Sequence, residues 1–362
     1  MAAKKIALVL AGGGARGAFQ VGVVQSLIEK FKLDFEIIYG TSAGTLNGAF
    51  LAQAPMGTDS LKNLGDYAQR LERLWKQEIK GSGSVYEYRG LLSPIPIVNE
   101  ASAWANAMMF VDSVYDNSRG VDMIRRNLSM EALKNSGRKF KCAQVSLVTG
   151  KMMMGGNGAE SGEELFQSIV ASTTIPVVFP VVQKPNDTIV DGGARDITPL
   201  GSVFDEKPDA IYVALTSKLE RENGKFPSSG VIAHKPGDWK DHFGNPVTGL
   251  DVLARTLDIL TDEIQLDDIR NAELWNNAVE VLEKSYSKLG GNTKKMADKI
   301  LEQRRYVPLN VIAPRAWYNE DVSDPNKKND ALNFSPALIG KYIEHGRAVG
   351  ADKSRWLIRA KP

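Results

Sequence analysis

Residues 5–20 read KIALVLAGGGARGAFQ, a short apolar run that leads directly into a glycine-rich loop. An apolar run of this length, bounded by glycine, is typical of a strand that is covered on both faces of its sheet. After the loop, from Ala18 to Phe31, apolar residues recur at spacings of three and four, which predicts a helix packed on that sheet. A second short strand at 35–39 and a second helix at 43–52 follow. This order predicts an α/β fold in which right-handed crossovers join the parallel strands of a central sheet.

The later sequence extends this pattern and then becomes mainly helical. No internal repeat or long linker interrupts it, so we expect one domain over residues 1–362, with a core at about 5–216 and a mainly helical part at about 245–362. A stripe of apolar residues at alternating spacings of three and four predicts a long helix with one face in the core; its members are Leu250, Leu253, Leu257, Leu260 and Ile264. Further strands are predicted at 139–149, 151–154, 209–216 and 308–312, and one more strand ends at 191. Further helices are predicted at 59–80, 121–133, 163–170 and 336–350.

The composition excludes several classes of protein. Lys and Arg number 45 against 43 Asp and Glu, a net charge of +2, whereas a nucleic-acid surface usually requires a strong basic excess. We therefore expect no nucleic-acid partner. The single cysteine, Cys142, excludes an intramolecular disulfide and any multi-cysteine metal site. All three histidines lie late in the chain, at His234, His242 and His345, so chemistry in the N-terminal half must proceed without one.

No targeting or membrane-spanning segment is recognisable. The apolar run at 6–11 is shorter than the roughly 7 to 15 residues of a secretory signal, and no segment approaches the ~20 apolar residues that span a bilayer. We therefore expect a cytoplasmic protein that contacts membranes only peripherally. Its oligomeric state is not indicated by the sequence.

The loop GGGARG contains the first candidate motif. Gly12, Gly14 and Gly17 have the spacing of the dinucleotide-binding G-x-G-x-x-G pattern. In a chain with 33 glycines this match is weak by itself. Physically, such a loop presents backbone N–H groups at the start of a helix, where they face a negatively charged oxygen. That oxygen belongs either to a pyrophosphate or to a tetrahedral oxyanion.

A second motif decides between these two readings. Gly40-Thr41-Ser42-Ala43-Gly44 is G-x-S-x-G between a predicted strand and a predicted helix, which is the setting of a nucleophile elbow. A dinucleotide fold would instead carry an acidic residue at the end of the second strand. The elbow occupies that position here. The sequence therefore favours a serine nucleophile over a bound dinucleotide.

The third motif is Asp191-Gly192-Gly193, at the end of an apolar strand. Asp-Gly is a common turn, so the tripeptide in isolation is best explained as structural. It gains weight only together with the other two motifs.

The three motifs, in this order, resemble the patatin-like phospholipase family and in particular its bacterial members. Three further segments are similar to that family: 8–20 to its opening, 171–181 to the stretch before its catalytic Asp, and 333–346 to its terminal helix. The resemblance covers most of the chain. It implies a three-layer fold, with a central, mostly parallel sheet between helices and a helical C-terminal elaboration. It also implies a serine acyl hydrolase that cleaves carboxylic esters of lipids through an acyl-enzyme intermediate, as a phospholipase A or lysophospholipase does, without a cofactor.

The resemblance also implies roles for individual residues. Ser42 would attack the ester carbonyl, and Asp191 would take its proton and later help to activate water. Backbone N–H groups of the loop would hold the oxyanion, and Arg16 would support that loop or an anionic head group. The expected oxyanion-hole residues are Gly12, Gly13, Gly14 and Ala15, and the expected supporting glycines are Gly17, Gly40, Gly44, Gly192 and Gly193. These roles fit general chemistry, because a serine nucleophile requires a neighbouring base and its oxyanion requires preorganised donors.

Three alternatives remain open. Ser42, Asp191 and then His234 or His242 follow the chain order of an α/β-hydrolase triad, although only two strands precede the elbow. A second alternative is a lipid-binding protein that has this fold but no catalytic activity. For residues 81–118, whose apolar residues include Trp104 and Phe110, we expect either a lid or acyl-binding insertion or simply a part of the core.

Overall fold

The computed structural model describes residues 4–89, 113–221, 223–227, 229, 249–315 and 331–360. Most of the strands form one central sheet, and helices lie on both of its faces. In the described residues the strands are β1 (Ile6–Leu10), β2 (Ile37–Gly40), β3 (Glu87–Tyr88), β4 (Tyr115–Asp116), β5 (Lys139–Ser146), β6 (Met152–Gly156), β7 (Val182–Lys184), β8 (Asp187–Asp191), β9 (Ala210–Ala214) and β10 (Leu309–Ile312). The α-helices are α1 (Ala18–Phe31), α2 (Ala43–Ala52), α3 (Ser60–Gln77), α4 (Ser118–Asn127), α5 (Met130–Asn135), α6 (Gly162–Ala171), α7 (Leu200–Phe204), α8 (Gly249–Ser285), α9 (Gly291–Gln303) and α10 (Pro336–Gly350).

The central sheet has eight strands in the order β10-β9-β1-β2-β5-β8-β7, and β6 pairs with β5 off this path. Five of them, from β10 to β5 along this order, run parallel. β6 and β8 run antiparallel to β5, and β7 runs antiparallel to β8. The predicted α/β fold with a mostly parallel sheet is therefore confirmed.

Both faces of the sheet are covered, as the apolar β1 predicts. Leu8 and Leu10 are buried on one face, with α1, α2, α3 and α10. Ala7 and Val9 are buried on the other, with α7 and α8. Because successive side chains of a strand point to opposite faces, a strand between two helical layers is apolar at every position. The fold therefore has three layers.

Three helices match their predicted ranges of 18–31, 43–52 and 336–350, but the prediction of one helix over 121–133 is wrong. Leu128 is extended, with φ −110° and ψ 124°, and separates α4 from α5. Ser129 then caps α5, because its side chain accepts a hydrogen bond from the Ala132 N–H. A serine that satisfies a free backbone donor in this way begins a new helix rather than continuing the old one.

The apolar stripe at 250–264 was expected to face the core, and this prediction is wrong for Leu260, whose side chain is 52% exposed. α8 does form over this region, and among its described side chains the buried aliphatic ones include Leu266, Ile269 and Val279. Leu266 and Ile269 pack in the core on this face of the sheet. The side chains of Leu250, Leu253 and Leu257 lie outside the described residues. No helix in the described ranges is both long enough and apolar enough to cross a membrane.

The two ends of the predicted lid, residues 81–118, lie side by side. β3 and β4 pair antiparallel and form a separate two-stranded sheet, with Tyr88 opposite Tyr115. Trp104 and Phe110 lie outside the described residues. The lid, like the single-domain boundary, stays a prediction.

Candidate active site

Ser42 sits in the sharp turn between β2 and α2. Its backbone has φ 54° and ψ −126°, a conformation that residues with a side chain rarely adopt. Gly44 lets the turn close, because a Cβ there would lie 2.1 Å from the backbone oxygen of Leu10. The serine is buried, with 7% of its surface exposed. A strained serine between strand and helix is the geometry of a nucleophile elbow.

The register of the sheet brings Asp191 to the level of Ser42. Gly40 at the end of β2 pairs with Cys142 of β5, and Asp191 at the end of β8 pairs with Gln144 of the same strand. Ser42 lies two residues beyond Gly40, just as Gln144 lies two beyond Cys142. Residues about 150 positions apart in sequence therefore meet at one edge of the sheet.

The Asp191 carboxyl group is buried, with 3% of the residue exposed. Its Oδ1 accepts a hydrogen bond from the Gly193 N–H at 2.8 Å. Burial raises the pKa of Asp191 to about 7, although the contacts with Gly193 and with the Ser42 side chain each lower it. Within the described part of the chain, Oδ2 has no partner in ordinary hydrogen-bond geometry. The contact with Ser42 is therefore longer or more bent than a regular hydrogen bond, as is common before substrate binds.

The glycine loop offers fewer free amides than the sequence predicts. The Gly12 N–H donates to the Ile197 carbonyl at 3.1 Å, and the Ala15 N–H donates to the Ala331 carbonyl at 2.7 Å. Of the four predicted oxyanion donors, only Gly13 and Gly14 have amides without a partner among the described residues. The expectation for Gly12 and Ala15 is therefore corrected: their amides hold the loop in place.

Ala43 supplies a further amide that the sequence prediction omits. It is the first residue of α2, so its N–H has no carbonyl within the helix and no other partner in the described ranges. Gly14, Ser42 and Ala43 line the same cavity. In a nucleophile elbow, the amide that follows the nucleophile is one of the two usual oxyanion donors. The G-x-S-x-G motif could have identified this donor, because it places Ala43 directly after Ser42.

The cavity beside Ser42 has a volume of about 120 Å³. Its walls come from α2, α3, α4 and the segments around Ile175 and Phe334. Most of the lining is aliphatic or aromatic: Leu46, Phe50, Leu71, Leu74, Trp75, Ile79, Val85, Val121, Met123, Ile124, Leu128, Ile175, Phe179, Leu332 and Phe334. An apolar cavity that opens at a nucleophile suits a hydrocarbon chain attached to the reacting carbonyl.

A buried polar network, not predicted from the sequence, fixes the elbow helix against the glycine loop. Asn47 of α2 donates to the Gly17 carbonyl at 3.0 Å and to Gln20 Oε1 at 2.9 Å. The Trp75 indole donates to Asn47 Oδ1 at 2.8 Å. Gln20 donates in turn to the Ala11 carbonyl at 2.8 Å. These residues carry no motif, so only their positions in space identify them.

Ser172 and Thr216 hold the two loops directly. Ser172 Oγ accepts a hydrogen bond from the Ser42 N–H at 3.3 Å. The Thr216 hydroxyl donates to the Gly12 carbonyl, and a Cβ on Gly13 would lie 2.2 Å from the Thr216 Oγ1. Arg16 is 4% exposed and belongs to the short 3₁₀ turn Gly14–Gly17. Its side chain lies inside the protein, which favours support of the loop over an open contact with a head group.

The histidines give no triad in the described residues. His234 and His242 lie outside these residues. His345 is on α10, where its Nε2 accepts a hydrogen bond from the Arg315 N–H at 2.9 Å and its ring packs on Phe19. Burial, with a smaller contribution from Arg355, lowers the pKa of His345 to about 4. The described ranges also contain no cluster of three His, Cys, Asp or Glu side chains that could bind a metal ion.

Comparison with known proteins gives a family and several distant relatives. The family model described as patatin-like phospholipase matches residues 8–204. An uncharacterized NTE family protein of Mycobacterium bovis is 24% identical over 306 residues, which are 84% of this chain and 46% of that protein. Lysophospholipase nte1 of Aspergillus terreus is 38% identical over 73 residues, which are 20% of this chain and 5% of that protein. The crystal structure of VipD from Legionella pneumophila is 13% identical, with a TM-score of 0.39, and covers 98% of this chain and 67% of that chain. This chain therefore spans less than half the length of the two curated relatives.

Proposed function

The chain belongs to the patatin-like phospholipase family, and from this premise we propose that it is a lipid acyl hydrolase with a Ser42–Asp191 catalytic dyad. One observation carries the proposal: a strained, buried serine contacts a buried carboxyl group at the end of an apolar cavity. The names of the relatives support lipid esters as the substrate class, since one of them is called a lysophospholipase.

In the first half of the reaction, Ser42 Oγ attacks the ester carbonyl carbon while Asp191 accepts the hydroxyl proton. The negative charge that develops on the carbonyl oxygen is stabilised by the amides of Gly13, Gly14 and Ala43. Such donors are preorganised and each contributes roughly 3 to 4 kcal/mol to catalysis. When the tetrahedral intermediate collapses, the alcohol leaves with the proton that Asp191 holds. Ser42 is then esterified with the acyl group.

In the second half, water attacks the acyl-enzyme, and Asp191 takes the proton of that water. A second oxyanion forms and collapses, the fatty acid departs, and the proton returns to Ser42. The raised pKa of Asp191, about 7, suits this exchange. A carboxylate at its ordinary pKa near ~3.9 would be too weak a base at neutral pH. Burial thus supplies the basicity that a histidine provides in other serine hydrolases.

The acyl chain of the substrate is proposed to lie in the apolar cavity, with the alcohol portion toward solvent. We also propose that the protein contacts a membrane surface transiently, because its substrates would reside there. Residues 81–118 are proposed as a lid or acyl-binding insertion. Their support is that Val85 and Asn117, near the two ends of this segment, both line the cavity.

The test is a panel of phospholipids, lysophospholipids, neutral glycerides and short soluble esters. We expect the native protein to hydrolyse lipid esters and the Ser42→Ala and Asp191→Asn variants to lose at least about 1000-fold in kcat. Ser354→Ala is the control, since Ser354 is exposed and does not line the cavity. Chelators should leave the native activity unchanged.

Two outcomes would count against the dyad. Loss of hydrolysis in His234→Ala or His242→Ala would indicate a triad instead. Absence of hydrolysis across the panel, with no labelling of Ser42 by a fluorophosphonate probe, would indicate a lipid-binding protein without turnover.

A further inference from the structure

Residues 196–198 contact all three catalytic segments. The Thr41 hydroxyl, next to Ser42, donates to the Asp196 carbonyl at 3.3 Å. The Gly12 N–H of the glycine loop donates to the Ile197 carbonyl at 3.1 Å. The same segment follows directly on the loop that carries Asp191. Its position therefore sets how the nucleophile, the oxyanion loop and the base are arranged relative to one another.

The carboxyl group of Asp268 holds this segment. Asp268 is on α8, which lies on the face of the sheet opposite the cavity beside Ser42. The Thr198 N–H donates both to Asp196 Oδ1, at 3.1 Å, and to Oδ2 of Asp268 on α8, at 3.0 Å. Because one N–H reaches both groups, the carboxyl groups of Asp196 and Asp268 lie side by side. Two carboxylates this close repel each other, whereas a pair that shares one proton can form a hydrogen bond.

The shared proton is held firmly. Burial raises the pKa of both groups, and the charge of Asp196 contributes further to the shift at Asp268, whose pKa rises to about 9. The pair therefore keeps one proton at neutral pH and loses it as the pH rises through about 9.

The pair can exchange its proton with solvent through a second cavity. This cavity has a volume of about 660 Å³, and Asp196 and Asp268 lie in its wall. The basic residues in its lining are Lys299, Arg304 and Arg305. Arg304 pairs with Asp205 at 3.6 Å and Arg305 with Asp209 at 3.3 Å.

We propose that Asp268, through its proton-sharing contact with Asp196, is a positioning residue that keeps the three catalytic segments in their active arrangement. It does not touch the substrate, since the acyl cavity lies on the opposite face of the sheet. The proposal rests on the proposed hydrolase function. α8 would then influence the reaction directly, although it lies outside the part of the chain that the family model matches.

The test compares Asp268→Ala, Asp268→Asn and the control Asp267→Asn on a short soluble ester over a range of pH. Asp267 is the neighbouring residue, but it is exposed and pairs only with Arg270 in the described contacts. We expect Asp268→Ala to lower kcat roughly 10- to 100-fold, with KM changed by less than about threefold, because small displacements of catalytic groups are costly.

Asp268→Asn tests whether the hydrogen bonds of this side chain, and not only its volume, hold residues 196–198 in place. An amide can donate to Asp196 and accept from the Thr198 N–H without a shared proton. We expect the native kcat to fall above about pH 9, where the pair loses its proton and the two carboxylates repel. Asp268→Asn should recover most of the native kcat at neutral pH and should not show this fall. The control should match the native protein at every pH. Native kcat in Asp268→Ala, or an unchanged alkaline fall in Asp268→Asn, would overturn the proposal.

Hydrogen–deuterium exchange provides a readout that does not depend on turnover. Asp268→Ala should speed the exchange of amides in residues 191–200, and Asp267→Asn should not. Unchanged exchange in Asp268→Ala would contradict the proposal, even if the native protein proved inactive. Inactivity of the native protein on every ester would instead contradict the proposed function alone.

Discussion

At the scale of single residues, burial decides the chemistry of the site. Ser42 and Asp191 are ordinary residue types, and their motifs identify them in the sequence. What a motif does not give is the pKa of Asp191, which is raised because the carboxyl group is enclosed and only one of its oxygens has a regular hydrogen bond. Ser172 and Asn47 show the same limit, since their contacts follow from where the fold places them.

The raised pKa of Asp191 predicts the pH dependence of the reaction. Asp191 must be ionised to accept a proton, so kcat/KM should rise with pH to a plateau above about 7, below the alkaline range in which the Asp196–Asp268 pair loses its proton. A pH–rate profile with a soluble ester would measure this. An acidic limb near ~4, the ordinary value for Asp, would contradict the assignment of Asp191 as the base.

The raised pKa of Asp191 should also lower the free energy of unfolding at neutral and alkaline pH. Because the pKa of Asp191 is higher in the folded than in the unfolded state, folding is opposed increasingly as the pH rises from about 4 to about 7, and the full penalty remains above that. Asp191→Asn removes the penalty. We expect it to increase the free energy of unfolding by a few kcal/mol at about pH 8 and by less at about pH 5. Denaturant unfolding at both pH values tests this, and an equal gain at both would contradict it.

At the scale of elements, helices bring apolar side chains to a site that two tight turns create. The turns at Gly12–Gly17 and Gly40–Gly44 could be predicted, because each lies between a recognisable strand and helix. The walls of the cavity could not, since α3 and α4 have apolar faces that suit any core. The break between α4 and α5 at Leu128 was also missed, because a single serine cap outweighs a continuous apolar pattern.

Narrowing the cavity on α4 should change the preference for acyl chain length. Val121 lines the cavity and is only partly buried, so a larger side chain there can extend into the open space. Val121→Trp should raise KM for long-chain esters about tenfold and leave that for short esters nearly unchanged. Asp122→Trp is the control, since Asp122 is exposed and outside the lining. Equal effects on long and short esters would contradict an acyl-binding role.

At the scale of the whole molecule, the C-terminal helix α10 completes the core. It crosses α1 so closely that the backbones are in contact: a Cβ on Gly346 would lie 1.9 Å from the Phe19 carbonyl oxygen, and one on Gly22 would lie 2.0 Å from that of Ile343. The Ser26 hydroxyl donates to the Arg347 carbonyl at 2.8 Å across the same contact. The family match ends at 204, yet the layer that covers the sheet depends on residues 336–350.

This crossing predicts a sharp contrast between two glycines of α10. Gly346→Ala should destabilise the protein by about 1–3 kcal/mol or more, because neither backbone can yield. Gly340→Ala, on the same helix with nothing within 4 Å of the added Cβ, should be neutral or stabilise by up to about 1 kcal/mol. Thermal unfolding of both variants tests the contrast. Similar melting temperatures would show that the helices are not in close contact.

The sequence by itself determined the α/β class, the order of most strands and helices, and the identity of the three motifs. These features are local: they depend on apolar periodicity and on turns that only glycine permits. The tertiary structure decided which amides of the glycine loop are free among the described residues and how far burial raises the pKa of Asp191. It also decided which helices enclose the apolar cavity beside Ser42, and that Asp268 lies beside Asp196. Each of these depends on residues far apart in the chain, and their distances are set by the register of the sheet and the packing of its two faces.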